Sequence, residues 1–227
     1  MQLKKSYESL KPGERLRITA TDQAFGRDVA SWCRMTGAEL LSLDTGCGKV
    51  QALVRKQAPT ETAYRSTRPA TADNKTIVVF SDDLDKALAS FVIANGAAAT
   101  GKRVTMFFTF WGLNVIKKRE KPAVRKDLMG RMFGWMLPAH SGQLHLSKLN
   151  MWGMGSRMMR GIMRRKKIDS LEELMRQARE SSVEMIACTM SMDVMGVRRE
   201  ELLDGITLGG VASYLDRTEE SNLNLFI

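Results

Sequence analysis

Polar and apolar positions along the first quarter of the chain alternate in ways that predict a small strand and helix unit. Arg15-Leu-Arg-Ile-Thr-Ala20 switches between polar and apolar residues as a half-buried strand does, and the turn signal Lys11-Pro-Gly-Glu14 precedes it. Thr21-Asp22 can cap a helix over 23–35, in which Phe25, Val29, Trp32 and Cys33 share one face before Gly37 stops it. Glu39-Leu-Leu-Ser-Leu43 and Lys49-Val-Gln-Ala-Leu-Val-Arg55, joined through Thr45-Gly-Cys-Gly48, predict a hairpin. From 57 to 74 the residues are mainly Ala, Pro, Thr and Arg, with little to bury, which reads as a flexible linker.

Beyond residue 74 the pattern changes to continuous apolar runs separated by helical periods. Lys75-Thr-Ile-Val-Val-Phe80 suits a strand buried on both faces of a parallel sheet. Ser81-Asp-Asp83 breaks it and caps an alanine-rich helix over 84–99, after which 102–110 resumes as a second buried strand ended by Trp111-Gly-Leu113. An amphipathic helix over 171–180 precedes an apolar strand over 183–187, with Cys188 at its end. A short helix over 197–203, a short strand or turn over 204–208 and a glycine-opened helix over 209–218 complete the series, before the tail Leu223-Asn-Leu-Phe-Ile227. This alternation makes a doubly wound parallel α/β sheet with flanking helices the economical fold for 75–227.

Composition narrows the function classes. The 227 residues carry a formal charge of +10, with basic clusters at Lys117–Lys121, Arg125-Lys126 and Arg157–Lys167 that attract polyanions or acidic partners. No aromatic-interleaved basic strand or reading helix supports nucleic-acid binding. No apolar run is long enough for a membrane helix, and no secretory signal follows Met1, so the expected setting is cytoplasmic. Cys33, Cys47 and Cys188 are odd in number and lack metal-ligand spacing, which argues for free thiols. Cys33 on an apolar helix face reads as core, and Cys47 in its Gly-Cys-Gly turn as an exposed thiol without a role. His140 and His145 stand apart from acidic or cysteine ligands, so no metal is expected. No phosphate-cradling glycine pattern follows either buried strand, and Asp82, Asp83 and Asp85 place negative charge where phosphates would sit, so no nucleotide cofactor is expected. The 122–167 segment holds eight methionines among basic residues, interrupted by glycines. It reads either as filler for an irregular core or subunit interface, or as an adaptable docking surface.

Cys188 draws attention by position, because ligands and chemistry in open α/β sheets gather beyond the carboxyl ends of strands. Spacing alone leaves a reactive thiol and a buried, inert one equally open. A helix starting at Thr189 would place amides and its dipole beside the sulfur. Thr189 and Ser191 could add hydroxyl donors, and Asp193 would oppose a thiolate unless it caps the turn or pairs with Arg198 or Arg199.

Two resemblances bear on this. Residues 1–56, through Lys11-Pro-Gly-Glu14, Thr21-Asp22 and Trp32-Cys33, resemble the TusA-like (SirA-like) sulfur-carrier domains, as an incomplete α+β domain. That family's reactive Cys-Pro-x-Pro motif would lie upstream of Met1, and neither Cys33 nor Cys47 occupies its place. Residues 75–227 are similar to the DsrE/DsrF/DsrH-like family, its DsrE-type branch in particular. The matching stretches are Val78-Val-Phe-Ser-Asp-Asp83, Phe107-Phe-Thr-Phe-Trp-Gly-Leu113, Gly153-Met-Gly-Ser-Arg-Met-Met159, Ala187-Cys-Thr-Met-Ser-Met-Asp193 with Met195-Gly196, and Gly209-Gly-Val-Ala212.

The resemblance implies that Cys188 accepts sulfane sulfur as a persulfide and passes it on, as a sulfur carrier or sulfurtransferase. It implies partners among TusA-like, rhodanese and flavin-dependent CoA-disulfide or persulfide reductase proteins, and a homo-oligomer. If sulfur moves through the polypeptide as written, Cys188 carries it without an internal partner. The competing reading is a non-catalytic interaction module that docks on a partner or a membrane surface through the basic, methionine-rich 122–167 segment.

Overall fold

The computed structural model describes residues 2–46, 48–58, 73–120, 122, 124, 132 and 136–227. Cys47, most of the expected linker and much of the 121–135 portion of the methionine-rich segment lie outside the described residues. The chain divides into two compact units, Met1–Ala72 with Leu208–Glu220, and Asp73–Thr207 with Ser221–Ile227.

In the first unit, helix α1 (Gln2–Glu8) leads to β1 (Arg15–Ala20), α2 (Phe25–Thr36), β2 (Glu39–Gly46) and β3 (Lys49–Arg55). The strands form an antiparallel sheet in the order β1-β3-β2, with a bulge in β2 between Leu40 and Ser42. Every second residue of β3 turns inward, so that Val50, Ala52 and Val54 are buried. The buried face of α2 supplies Val29 and Cys33 to the same core. Tyr7 meets Trp32 edge-on with ring centroids 4.9 Å apart, which holds α1 to α2. Gly37, at φ 71°, ends α2 in the left-handed region that a side chain disfavours.

Helix Val211–Glu219 belongs to this unit although it lies far along the chain. The Asp28 carboxylate on α2 accepts the Gly210 amide at 2.9 Å and the Ser213 amide at 3.2 Å, satisfying donors in the helix's first turn. Further along, Arg34 Nη2 donates to Asp216 Oδ2 at 2.5 Å.

The second unit is a parallel α/β sheet flanked by helices. Strands β4 (Asn74–Val79), β5 (Val104–Phe108), β6 (Glu184–Cys188), β7 (Thr207–Gly209) and β8 (Ser221–Phe226) are ordered β7-β6-β5-β4-β8. The pairs β4–β5, β4–β8 and β5–β6 run parallel. All five residues of β5 are buried, as a strand covered on both faces requires. Helix α3 (Leu84–Ala99) follows β4 and packs Ala87, Phe91 and Ala94 inward. Helices α4 (Met154–Arg165) and α5 (Leu171–Glu180) precede β6, α6 (Thr189–Met195) follows it, and the Val211–Glu219 helix is α7. Ser170 caps α5 by accepting the Glu173 amide.

Four expectations from the sequence need correction. The second buried strand, expected over 102–110, is shorter, ending at Phe108 before Phe110–Ile116 winds into a 3-10 helix. Gly112 in that helix is needed because a Cβ there would lie 2.0 Å from the Val79 carbonyl oxygen. The helix expected over 197–203 reduces to a single 3-10 turn, Arg199–Glu201, because Leu202 and Leu203 extend to meet the end of the other 3-10 helix. The short strand or turn expected over 204–208 is both, a turn at Gly205 and then the strand Thr207–Gly209, one residue beyond the expected end. The tail is strand β8, whose backbone is satisfied by β4, with the Ile227 amide donating to Val78 O at 2.9 Å.

Candidate functional site

Cys188 is the last residue of β6 and the residue directly before α6. The parallel register pairs Phe107 with Ile186 and Phe108 with Ala187, so one step further sets Thr109 beside Cys188 at the carboxyl ends of β5 and β6. The chain turns there on both strands. After β5 it enters the 3-10 helix, and after β6 it enters α6.

The two turns are tied to each other. Thr109 Oγ1 and Ser191 Oγ lie 2.7 Å apart, and Ser191 is completely buried. Farther out, Lys117 and Leu202 form an antiparallel bridge, the Lys118 amide donates to Glu201 O at 2.8 Å, and the Leu203 amide donates to Ile116 O at 2.9 Å. Of the two readings left open by its position, a reactive thiol and a buried one, the structure shows the burial. Cys188 is 1 % exposed, and it lines neither of two clefts of about 540 and 500 Å³ in the same unit.

The expected supporting residues separate. Thr189 is buried beside Cys188, and the Ser191 hydroxyl is engaged by Thr109. The Asp193 side chain is exposed on the outer face of α6, while its carbonyl accepts the Gly196 amide in the turn that ends the helix. Met192 and Met195 are buried, and Met190 is 53 % exposed, so α6 packs one face and presents the other.

Sequence reasoning missed a buried polar chain at the same end of the sheet. Asn114 is fully buried in the 3-10 helix; its Nδ2 donates to Asp82 Oδ2 at 2.8 Å, and its Oδ1 accepts from Lys117 Nζ at 2.6 Å. One amide thus links a carboxylate after β4 to a lysine that is 6 % exposed. The signal was a single asparagine and a lysine at the end of the apolar run Phe110-Trp-Gly-Leu-Asn-Val-Ile-Lys117. Asp83, expected to cap α3, instead accepts from the Ser81 hydroxyl at 2.9 Å.

Cys33 lies in the first unit's core at 4 % exposure, and burial pushes its thiol up to about 11, which makes it a poor nucleophile near neutral pH. His140 Nδ1 accepts the Gly142 amide at 3.0 Å, a local turn contact. Among the described residues no group of three or more His, Cys, Asp or Glu is placed to hold a metal ion. Among them, too, no helix is long and apolar enough to cross a membrane.

Comparison with known proteins finds two family matches along the chain. The family model described as sulfurtransferase TusA matches residues 1–56, and that of the DsrE/DsrF/DrsH-like family matches 71–226. A protein of Bacillus subtilis (strain 168), YrkE, is 47% identical over 152 residues, covering 67% of this chain and 95% of its own. The sulfur carrier protein DsrE2 of Allochromatium vinosum is 35% identical over 155 residues, covering 66% of this chain and 96% of its own. Among solved structures, the YchN protein from E. coli aligns with 68% of this chain and 99% of its own, at 9% identity and a TM-score of 0.41. With its parallel sheet and a family match over more than half of its length, the chain belongs to the DsrE/DsrF/DrsH-like family, and a TusA-type region precedes that domain.

Proposed function

We propose that this protein works in a sulfur relay, with Cys188 accepting sulfane sulfur as a persulfide and passing it on. The observation that carries the reading is the position of Cys188 at the carboxyl end of a parallel strand, directly before a helix, in a chain of this family. The DsrE2 sulfur carrier among its relatives and the TusA match over 1–56 support the same reading.

The chemistry is thiol exchange without net oxidation. The Cys188 thiolate attacks the outer sulfur of a donor persulfide, a new S–S bond forms, and the donor's inner sulfur leaves as a thiolate. An acceptor thiolate then attacks the outer sulfur now on Cys188 and releases the Cys188 thiolate. Amides in the first turn of α6 have no intrahelical acceptor and lie next to this sulfur. Thr189 and Ser191 can supply hydroxyl donors once the site opens, while Asp193 points its charge to solvent and so does not oppose the thiolate at close range.

Donors and acceptors under this reading are TusA-like, rhodanese or flavin-dependent CoA-disulfide or persulfide reductase proteins, met by a homo-oligomer in the cytoplasm. Cys33 and Cys188, both unpaired thiols, are consistent with a reducing setting. Intact-protein mass spectrometry after incubation with glutathione persulfide tests the proposal. Wild type gains one sulfur that dithiothreitol removes, and Cys188→Ser does not gain it. Equal loading of the variant would overturn the assignment.

A further inference from the structure

We infer that the second unit carries a docking surface for anionic membrane lipid, built from the loop before α4 and the outer face of that helix. Five apolar side chains there face water. Trp152 is 104% exposed, Leu149 79%, Met158 64%, Met151 61% and Met154 59%. Single exposed apolar residues are ordinary, but a run of large ones ending in a fully exposed tryptophan is what an interaction surface presents.

The backbone holds this loop in an outward shape. Leu149, Met151 and Trp152 adopt φ of 57°, 43° and 58°, in the left-handed region that non-glycine residues seldom occupy. Gly155 makes the shape possible, since a Cβ on it would lie 2.1 Å from the Leu149 carbonyl oxygen. The Gly153 and Gly155 amides both donate to Asn150 O, closing the loop on itself. Backbone in a sparsely populated conformation thus displays apolar side chains to solvent instead of burying them.

The charge around the patch selects the occupant. On α4, Gly155, Ser156 and Met163 turn inward, whereas Met154, Arg157, Met158, Arg164 and Arg165 are exposed. Among the described residues no carboxylate pairs with Arg157, Arg164 or Arg165. Lys166 and Lys167 continue the positive charge beyond the helix. A short amphipathic helix with methionines and arginines on its outer face, next to a protruding tryptophan, has the chemistry of a helix lying in the headgroup layer. The long basic side chains reach phosphates while their stems and the apolar residues enter the acyl boundary.

Flotation of the full-length protein with lipid vesicles tests the inference, and it is independent of chemistry at Cys188. The protein floats with vesicles containing phosphatidylserine, stays behind with pure phosphatidylcholine, and is released by added salt. Trp152→Ser weakens the binding by about tenfold or more, and Arg157→Gln or Arg165→Gln by about fivefold each. Because Trp152 is fully exposed, its replacement leaves the fold intact, which circular dichroism checks, and Leu149→Ser gives a second reading of the same patch. Failure of the wild type to float with anionic vesicles overturns the inference, as does undiminished flotation of both variants. A concentration-dependent oligomer that Trp152→Ser converts to monomer, without vesicle binding, also overturns it by assigning the patch to a second copy of the chain.

Discussion

Thr109 and Ser191, 82 positions apart in sequence, share a hydrogen bond of 2.7 Å between their hydroxyls at the carboxyl ends of neighbouring strands. The bond ties the turn that leaves β5 to the first turn of α6, three residues past Cys188. With Cys188 at 1 % exposure, a reaction at its sulfur requires local opening of the structure around it.

Thr109→Val keeps the side chain's shape and removes its hydroxyl, leaving the buried Ser191 oxygen without that partner. The expected cost is about 1–3 kcal/mol of stability, with faster alkylation of Cys188 because the open state is more populated. Urea denaturation and peptide-resolved iodoacetamide labelling measure the two effects together. A loss of stability with no change in Cys188 labelling would show that access is controlled elsewhere.

Asn114→Ala breaks the polar chain from Asp82 to Lys117. The buried lysine loses one acceptor and the carboxylate one donor, so the variant should lose about 2–4 kcal/mol. Asn114→Asp should be tolerated no better, because it keeps an oxygen toward Lys117 but turns a second carboxylate oxygen on the Asp82 carboxylate in a buried site. Thermal unfolding of the two variants beside wild type decides this, and equal midpoints for all three would remove the chain from the stability account.

Cys33 makes a prediction at alkaline pH. Its folded-state thiol is pushed up to about 11 from a reference of 9.0 by burial, so between these values the folded state holds a proton that the unfolded state has released. Stability from this group is therefore intact below about pH 9 and declines as pH rises through about 11, by on the order of 2 kcal/mol. Cys33→Ala lowers stability at neutral pH through lost packing, but flattens this alkaline decline. A decline of the same size in the variant would assign it to another group.

Much of this fold was legible in the sequence because burial on both faces leaves continuous apolar runs. The strands at 74–79, 104–108 and 184–188 and the helices at 84–99 and 171–180 were read within a few residues of where they stand. The antiparallel hairpin announced itself by alternation and its glycine turn. Other elements gave weaker signals. Helix α4 contains Gly155 and Gly161 among its methionines, which lowers intrinsic helix propensity and hides its period. Strand β8 is Ser-Asn-Leu-Asn-Leu-Phe, an edge strand whose polar residues make it resemble a tail.

The candidate site was legible in position and not in environment. That Cys188 would follow a strand could be read from five apolar-rich residues and a helix before them. Its burial could not, because contacts such as that of Thr109 with Ser191 join distant parts of the chain, and pattern arguments do not see such pairings. The attachment of α7 to α2 through Asp28, Arg34 and Asp216 was hidden for the same reason, since it joins positions 182 or more residues apart.

Peptide mapping of the wild-type protein after incubation with glutathione persulfide tests the sulfur-relay reading most directly, because it asks which of Cys33, Cys47 and Cys188 holds the added sulfur. The reading requires the extra sulfur on the Cys188 peptide, and its loss from that peptide when an acceptor thiol is added. An added sulfur on Cys47 or Cys33 with none on Cys188, or a Cys188 persulfide that no thiol can remove, would contradict it.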